Sequence, residues 1–207
     1  VRLSGRERAY EFVKREVLTD PDMQGTFINE QILADRIGVS RTPIREALLM
    51  LAAQELVQLV PKRGAFVAAM SGRELTELIE VRSLIERHAA TFPMTEATLT
   101  EMRDSLAAQH LLRSPTQAKE FIEMDTRFHN ALVRATGNET LTRTYDGLRD
   151  RQVRAGMVAL CQAPGRQQTV LDEHQEIIDS LAAGDIERAV RAIDNHLQET
   201  LRVQLRS

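Results

Sequence analysis

Residues Gly38–Leu51, GVSRTPIREALLML, decide how the rest of the chain is read. Ile44, Ala47, Leu48 and Leu51 recur at i, i+3, i+4 and i+7, which predicts a helix with one apolar face. Pro43 falls in its first turn, where a missing N–H has no intrahelical acceptor to lose. Arg41 and Arg45 stand four residues apart and project together from the other side. A short helix that is greasy on one side and cationic on the other calls for an anionic partner outside the chain.

Working outward, Ala9, Phe12, Val13 and Val17 predict a first helix over about 5–18, and "TDPDMQGT" breaks it. A second helix is expected over 29–37, with Asn29 as its N-cap, Ile32, Leu33 and Ile37 inward, and Gly38 as its stop. After the third helix, the β-prone runs Val57–Val60 and Ala65–Ala68 flank "PKRG", a hairpin pattern. The order helix, helix, short turn, helix, basic hairpin makes residues 1–70 a winged helix-turn-helix. The "GVS" turn then sets the arginine-bearing helix to enter a major groove. There an arginine can donate a bidentate pair to guanine O6 and N7. Ser40, Thr42 and the helix N-terminus suit phosphate oxygens. Lys62, Arg63 and Gly64 form a hairpin tip for the adjacent minor groove, Gly64 allowing close backbone approach. A lone R-x-x-x-R is more commonly a solvated helix face. Turn, periodicity and basic hairpin together select double-stranded DNA.

The net charge of −3 does not oppose this, because it averages two regions. Residues 1–70 hold ten Lys/Arg against nine Asp/Glu, the remainder seventeen against twenty-one, so placement of the basic groups decides. Aromatics are only 4% of the chain, with no Trp, which favours helices packed on helices over a β-sandwich. The single cysteine, Cys161, excludes an internal disulfide and fits a reducing compartment. No apolar run approaches the roughly 18–20 residues that cross a bilayer, and "VRLSGRERAYEFVKREV" lacks a signal-peptide core. A cytoplasmic protein without membrane contact is expected.

From Ser71 no strand signal appears. Ser71 caps a helix carrying Leu75, Leu78, Ile79, Val81, Leu84 and Ile85, and further helices are predicted near 95–112, 117–136, 139–160, 167–183 and 185–205. Breaks fall at Pro93, "RSPT", "TGN", "QAPGR" and "AGD". The fold class is therefore mainly α: the winged helix-turn-helix followed, over 71–207, by an all-α antiparallel bundle of six helices. Asp125 and His129 share one face of a helix, His174 lies over Ile177, Ile178 and Leu181, and His196 accompanies Ile193 and Leu197. Three helices thus each bring one histidine to the edge of an apolar stripe. A shared metal and separately hydrogen-bonded core histidines are both consistent with that pattern.

"NEQILADRIGVSRTPIREALLML" followed by "LVQLVPKRGAFVA" closely resembles the GntR family of bacterial transcription regulators. The resemblance implies DNA contacts from Arg41, Thr42 and Arg45 and from Gly64 in the wing. Some members carry an arginine in the middle helix where this chain has Gln31, and Arg36 does not simply replace it. "VRSLIERHAA", "DTRFHNALVRATGN", "EHQEIIDSLAAGD" and "AVRAIDNHL" resemble the FCD ligand-sensing domain of the FadR-type subfamily. In metal-binding members the ligands fall on the positions of Asp125, His129, His174 and His196, all present here. One carboxylate and three imidazoles suit Zn²⁺, Ni²⁺ or another borderline cation, and suit Ca²⁺ poorly. The resemblance further implies a small organic acid effector bound at the metal rather than a fatty-acyl one. Arg82 stands either to clamp its carboxylate or to pair with Glu86 on the surface.

The expectation is a transcription regulator, a repressor, acting as a homodimer on a two-fold symmetric operator, since one recognition helix reads few base pairs. A metal-dependent hydrolase with an appended DNA-binding domain is the rival from another class, although only the generic Glu173 and Glu176 offer a base. A regulator whose metal is purely structural is the third reading.

Overall fold

Ser4 and Glu7 exchange hydrogen bonds in a capping box that starts α1 (Gly5–Phe12), and the helix continues through a wider π-type turn, Val13–Val17. The computed structural model describes residues 3–112, 114–163 and 165–206, so Arg113 and Pro164, within two of the predicted breaks, lie outside the described residues. Thr26–Phe27 forms β1. Asn29 then accepts from the Gln31 and Ile32 N–H groups and caps α2 (Glu30–Ile37). Gly38, at φ 71°, closes α2 in the left-handed conformation that suits a residue without Cβ. The Arg8 guanidinium donates to the Ile37 and Gly38 carbonyls and so holds this corner. Beyond it α3 (Arg41–Ala53) buries Ile44, Ala47, Leu48 and Leu51 against Ala9, Val13, Leu33 and Val57.

The hairpin consists of β2 (Gln58–Val60) and β3 (Gly64–Val67), antiparallel, with Leu59 opposite Ala65. The sheet has one strand more than the sequence suggests: β1 pairs with the far side of β3, giving the order β1-β3-β2. Ile32 departs from expectation as well. It is 55% exposed, and Leu33 and Ala34 carry the buried side of α2.

The chain divides into two compact units, Val1–Met70 and Ser71–Ser207. In the second, Ser71 and Glu74 form a capping box at the start of α4 (Gly72–Ala90), and Thr95 caps α5 (Glu96–Leu111). Next come α6 (Ala118–Arg134) and α7 (Glu139–Asp146), the latter capped by Asn138, then α8 (Arg149–Gln162), α9 (Arg166–Ala182) and α10 (Ile186–Leu205). Met102, Phe121, Phe128, Leu132, Ile177 and Ile193 form the centre of its core. Among the described residues this bundle has seven helices instead of six, because the predicted helix 139–160 is split at Gly147 and Leu148. Glycine is a poor helix former, by about 1 kcal/mol relative to alanine. The Leu148 N–H bonds back to Tyr145, three residues away, and the turn tightens. A second glycine permits a close crossing: a Cβ on Gly156 of α8 would come within 2.7 Å of the Ile122 side chain of α6. Val81 and Leu84, read from sequence as part of the α4 stripe, are exposed, Leu84 by 65%. Among the described residues no helix is long and apolar enough to cross a membrane.

Candidate nucleic-acid interface and metal centre

In the first unit the buried face of α3 turns its other edge outward. Arg41 and Arg45 line one open concavity of about 880 Å³ together with Leu59, Lys62, Arg63 and Gly64 of the hairpin. Four of the six expected DNA-contacting residues, Arg41, Arg45, Arg63 and Gly64, therefore share a surface. Ser40 and Thr42 are exposed just outside its lining. Ser40 stands at the N-cap of α3 but its side chain makes no capping hydrogen bond, which leaves the helix N-terminus open to an anion. Lys62 at φ 65° and Gly64 at φ 101° turn the hairpin tip, and the Arg63 guanidinium lies 4.3 Å from the centre of the Phe27 ring. Gln31 donates to Asp35 at 2.9 Å, while Arg36 lies over the Phe12 ring.

Sequence reasoning missed Glu30. One of its oxygens accepts from Arg41 Nη2 at 3.1 Å and from Arg45 Nε at 2.9 Å. Burial works to raise the Glu30 pKa, but the two guanidiniums outweigh it and hold the carboxyl below its ordinary value. Both arginine side chains nonetheless remain more than half exposed, at 53% and 60%.

In the second unit, α6 carries Asp125 and His129, α9 carries His174 and α10 carries His196. One ligand atom from each of the four lies within 4.8 Å of the others. That is close to the ~4 Å separating opposite ligands of an ion bonded at about 2.0–2.2 Å. Each imidazole is oriented from behind. His129 Nδ1 donates to Glu86 at 2.8 Å, His174 Nδ1 to the side-chain amide oxygen Oε1 of Gln109 at 2.9 Å, and His196 Nδ1 to Glu173 at 2.7 Å. With the proton on Nδ1, every Nε2 presents a lone pair. His129 Nε2 and His174 Nε2 are buried without a hydrogen-bond partner, and they face Asp125 oxygens at 3.9 Å and 3.5 Å. Acceptors facing acceptors in a buried space fit a cation between them. Burial pushes the His174 and His196 pKa values well down, and the neighbouring rings add to it, so both stay neutral and able to ligate at pH 7. Phe128 stacks on the His174 ring with centres 4.0 Å apart and fixes its plane.

Arg82 pairs with Glu86 as one expectation held, but the pair is buried rather than on the surface, at 2.9 Å. Its Nη2 has no hydrogen-bond partner and the side chain lines a small cavity shared with Asp125 and His196. The supporting shell was legible only in part. Gln109 completes the stripe of Met102, Ser105 and Leu106 on α5, a polar residue where the period demands an apolar one. Glu86 likewise follows Ile79, Arg82 and Ile85 along the buried face of α4, and that misplaced charge was the signal available. Tyr145, which donates to Glu86 at 2.6 Å, and Arg166, which donates to Glu173 at 2.8 Å, carry no comparable signal.

Comparison with known proteins adds to this geometry. Residues 6–67 match the family described as bacterial regulatory proteins, gntR family, and residues 77–199 match the FCD domain. An uncharacterized HTH-type transcriptional regulator in an unstable DNA locus of Streptomyces ambofaciens is 31% identical over 94% of this chain and 83% of its own. The HTH-type transcriptional repressor RspR of Escherichia coli K12 is 27% identical over 93% of this chain and 86% of its own. A GntR transcriptional regulator of known structure from Rhodococcus sp. RHA1 superposes with a TM-score of 0.84 at 22% identity, covering 99% of both chains.

Proposed function

Because the chain belongs to the gntR family of bacterial regulatory proteins and carries its FCD domain, and is thus a DNA-binding transcription regulator rather than an enzyme, we propose that it is a metal-dependent repressor. In this reading residues 1–70 bind a two-fold symmetric operator as a homodimer, and residues 71–207 bind the effector and mediate dimerisation. Arg41 and Arg45 read base edges, Ser40, Thr42 and the α3 N-terminus hold phosphates, and Arg63 and Gly64 follow the groove beside them. Val81 and Leu84, exposed on α4, support a face that a second copy would cover.

One observation carries the sensing half. Asp125, His129, His174 and His196 aim acceptor atoms at a common point, and Glu86, Gln109 and Glu173 fix the ring orientations. These residues would hold Zn²⁺ or Ni²⁺. Such an ion, when bound, supplies positive charge for a small carboxylate effector. Arg82 would then anchor that carboxylate from the side. The effector shifts DNA affinity only by its preference for one arrangement of the bundle over another, typically about 1–3 kcal/mol.

The test is an operator selected from random duplex DNA and titrated with the zinc-loaded chain. Arg41→Ala, folded as judged by circular dichroism, is expected to weaken binding by roughly 5–150-fold, the equivalent of about 1–3 kcal/mol. Unchanged affinity would remove Arg41 from the interface. Operator affinity that no organic acid alters in the zinc-loaded protein would instead favour a purely structural metal.

A further inference from the structure

The last carbonyls of an α-helix find no donor within it, and in a helix-turn-helix they stand at the turn that aims the next helix. In this chain a donor comes from outside that pair of helices. Arg8, on α1, directs one nitrogen, Nη2, at the carbonyls of both Ile37 and Gly38, the latter at 3.3 Å. Ile37 is the last residue of α2, Gly38 is its C-cap, and α3 begins three residues later at Arg41. The guanidinium also complements the negative end of the α2 dipole. One turn earlier on α1, a Cβ on Gly5 would stand 3.5 Å from both Val39 and Pro43, so the start of α1 lies against the turn and the first residues of α3. At the other end of α3, the Tyr10 hydroxyl donates to Oε1 of Gln54, the C-cap, at 2.7 Å. α1 therefore grips α3 at both ends.

Folding alone does not require the Arg8 contact. Ile44, Ala47, Leu48 and Leu51 bury α3 against Ala9 and Val13 of the same first segment, and that apolar contact carries the stability. The bond to Gly38 is solvent-exposed, so water can satisfy this carbonyl if the arginine is lost. Water cannot fix where the turn stands. A bidentate arginine–guanine pair is directional and has to be held within about 0.5 Å and 10–20° of its productive geometry. Contacts to phosphate depend mostly on charge and tolerate a larger displacement. Arg41 follows Gly38 by three residues, so a shift of the turn reaches it almost undiminished. Arg8 itself does not line the concavity that holds Arg41 and Arg45.

We propose that Arg8 is a positioning residue for operator readout: it pins the turn between α2 and α3 and so aims Arg41 and Arg45, without touching DNA. The proposal rests on the reading that these two arginines contact base edges. It adds a determinant of sequence preference on α1, outside the helix-turn-helix itself.

Fluorescence anisotropy of the full zinc-loaded chain, on a duplex selected from random sequence and on an unselected one across a salt series, tests this. Arg8→Leu is expected to weaken the selected duplex by about tenfold, as a misplaced reading group does. The unselected duplex and its salt slope should stay as they are. Arg8→Lys, whose ammonium also carries enough donors to bridge two carbonyls, should recover most of the loss. Circular dichroism and urea unfolding show that the variants fold. Should Arg8→Leu not fold, Arg8→Gln, which keeps an amide donor near the turn, takes its place with a loss of roughly threefold. A folded Arg8→Leu or Arg8→Gln that binds the selected duplex as tightly as the chain does would overturn the proposal. So would weaker binding of the unselected duplex with a slope reduced by about one, which would make Arg8 a phosphate contact. Arg41→Ala in the same assay separates the two readings. If it loses the selected duplex while Arg8→Leu does not, this proposal fails alone; if it keeps that duplex, base reading by Arg41 fails and this proposal with it.

Discussion

Both units place a carboxylate at the meeting point of cationic or hydrogen-bonding side chains, and the two carboxylates do opposite things. Glu30 holds Arg41 and Arg45 at the edge of α3, where both guanidiniums are more than half exposed. Glu86 accepts from Arg82 at 2.9 Å, His129 at 2.8 Å and Tyr145 at 2.6 Å, in the core. At the surface, water and salt weaken the attraction to about 0–1 kcal/mol, so a phosphate or a guanine can displace Glu30. In the core each ion has given up its hydration, and losing a partner exposes that loss in full. Burial drives the Glu86 pKa up, yet Arg82 and the hydrogen bonds from His129 and Tyr145 bring it below the ordinary carboxylate range. The exposed arrangement is open to exchange, and the buried one keeps an imidazole pointing one way.

Removing each carboxylate puts numbers on the contrast. Glu86→Leu leaves Arg82 charged and buried, and it should destabilise the second unit by about 3–5 kcal/mol in urea unfolding of the full chain. Glu30→Leu should cost less than about 1 kcal/mol in the same measurement. Equal losses would break the distinction. The next effect in size comes from the metal. Zinc at about a hundred times its dissociation constant should add roughly 2.7 kcal/mol to the stability of the unit that binds it. Scanning calorimetry should show the gain in the transition of the second unit and none in His174→Ala. A gain in the transition of the first unit would place the ion elsewhere.

Much of this is legible in the amino-acid sequence alone. The apolar period of α3, the Gly38 stop and the "PKRG" hairpin specify the first unit through local chemistry, and the structure follows them. β1 escaped because two residues carry no alternation, and only pairing with β3 makes Thr26–Phe27 a strand. The split between α7 and α8 escaped because an isolated glycine in a helical pattern is tolerated, at about 1 kcal/mol relative to alanine, and does not by itself mark a break. At the candidate metal centre, Asp125 and His129 share a helix face whatever the tertiary structure. His174 and His196 join them only through the packing of α6, α9 and α10, and the family resemblance, not the spacing, supplied that step.

The smallest effect sharpens the surface half of the comparison. Glu30 has a folded pKa below its ordinary value of 4.5, and burial opposes that shift while Arg45 and Arg41 produce it. A carboxyl depressed in the folded state contributes stability above the unfolded value and loses it as pH falls through the folded one. The stability difference between the chain and Glu30→Gln should therefore be present at pH 7, less than about 1 kcal/mol, and vanish on acidification below the carboxylate range. On DNA the sign reverses. Glu30→Gln frees two guanidiniums from a shared negative charge, so it should tighten binding to random-sequence duplex and steepen the salt dependence by about one unit of slope. Fluorescence anisotropy across a salt series measures both. An unaltered slope would mean that the arginines already leave Glu30 when duplex arrives, and the carboxylate would then act only in the free protein, as a placeholder for phosphate.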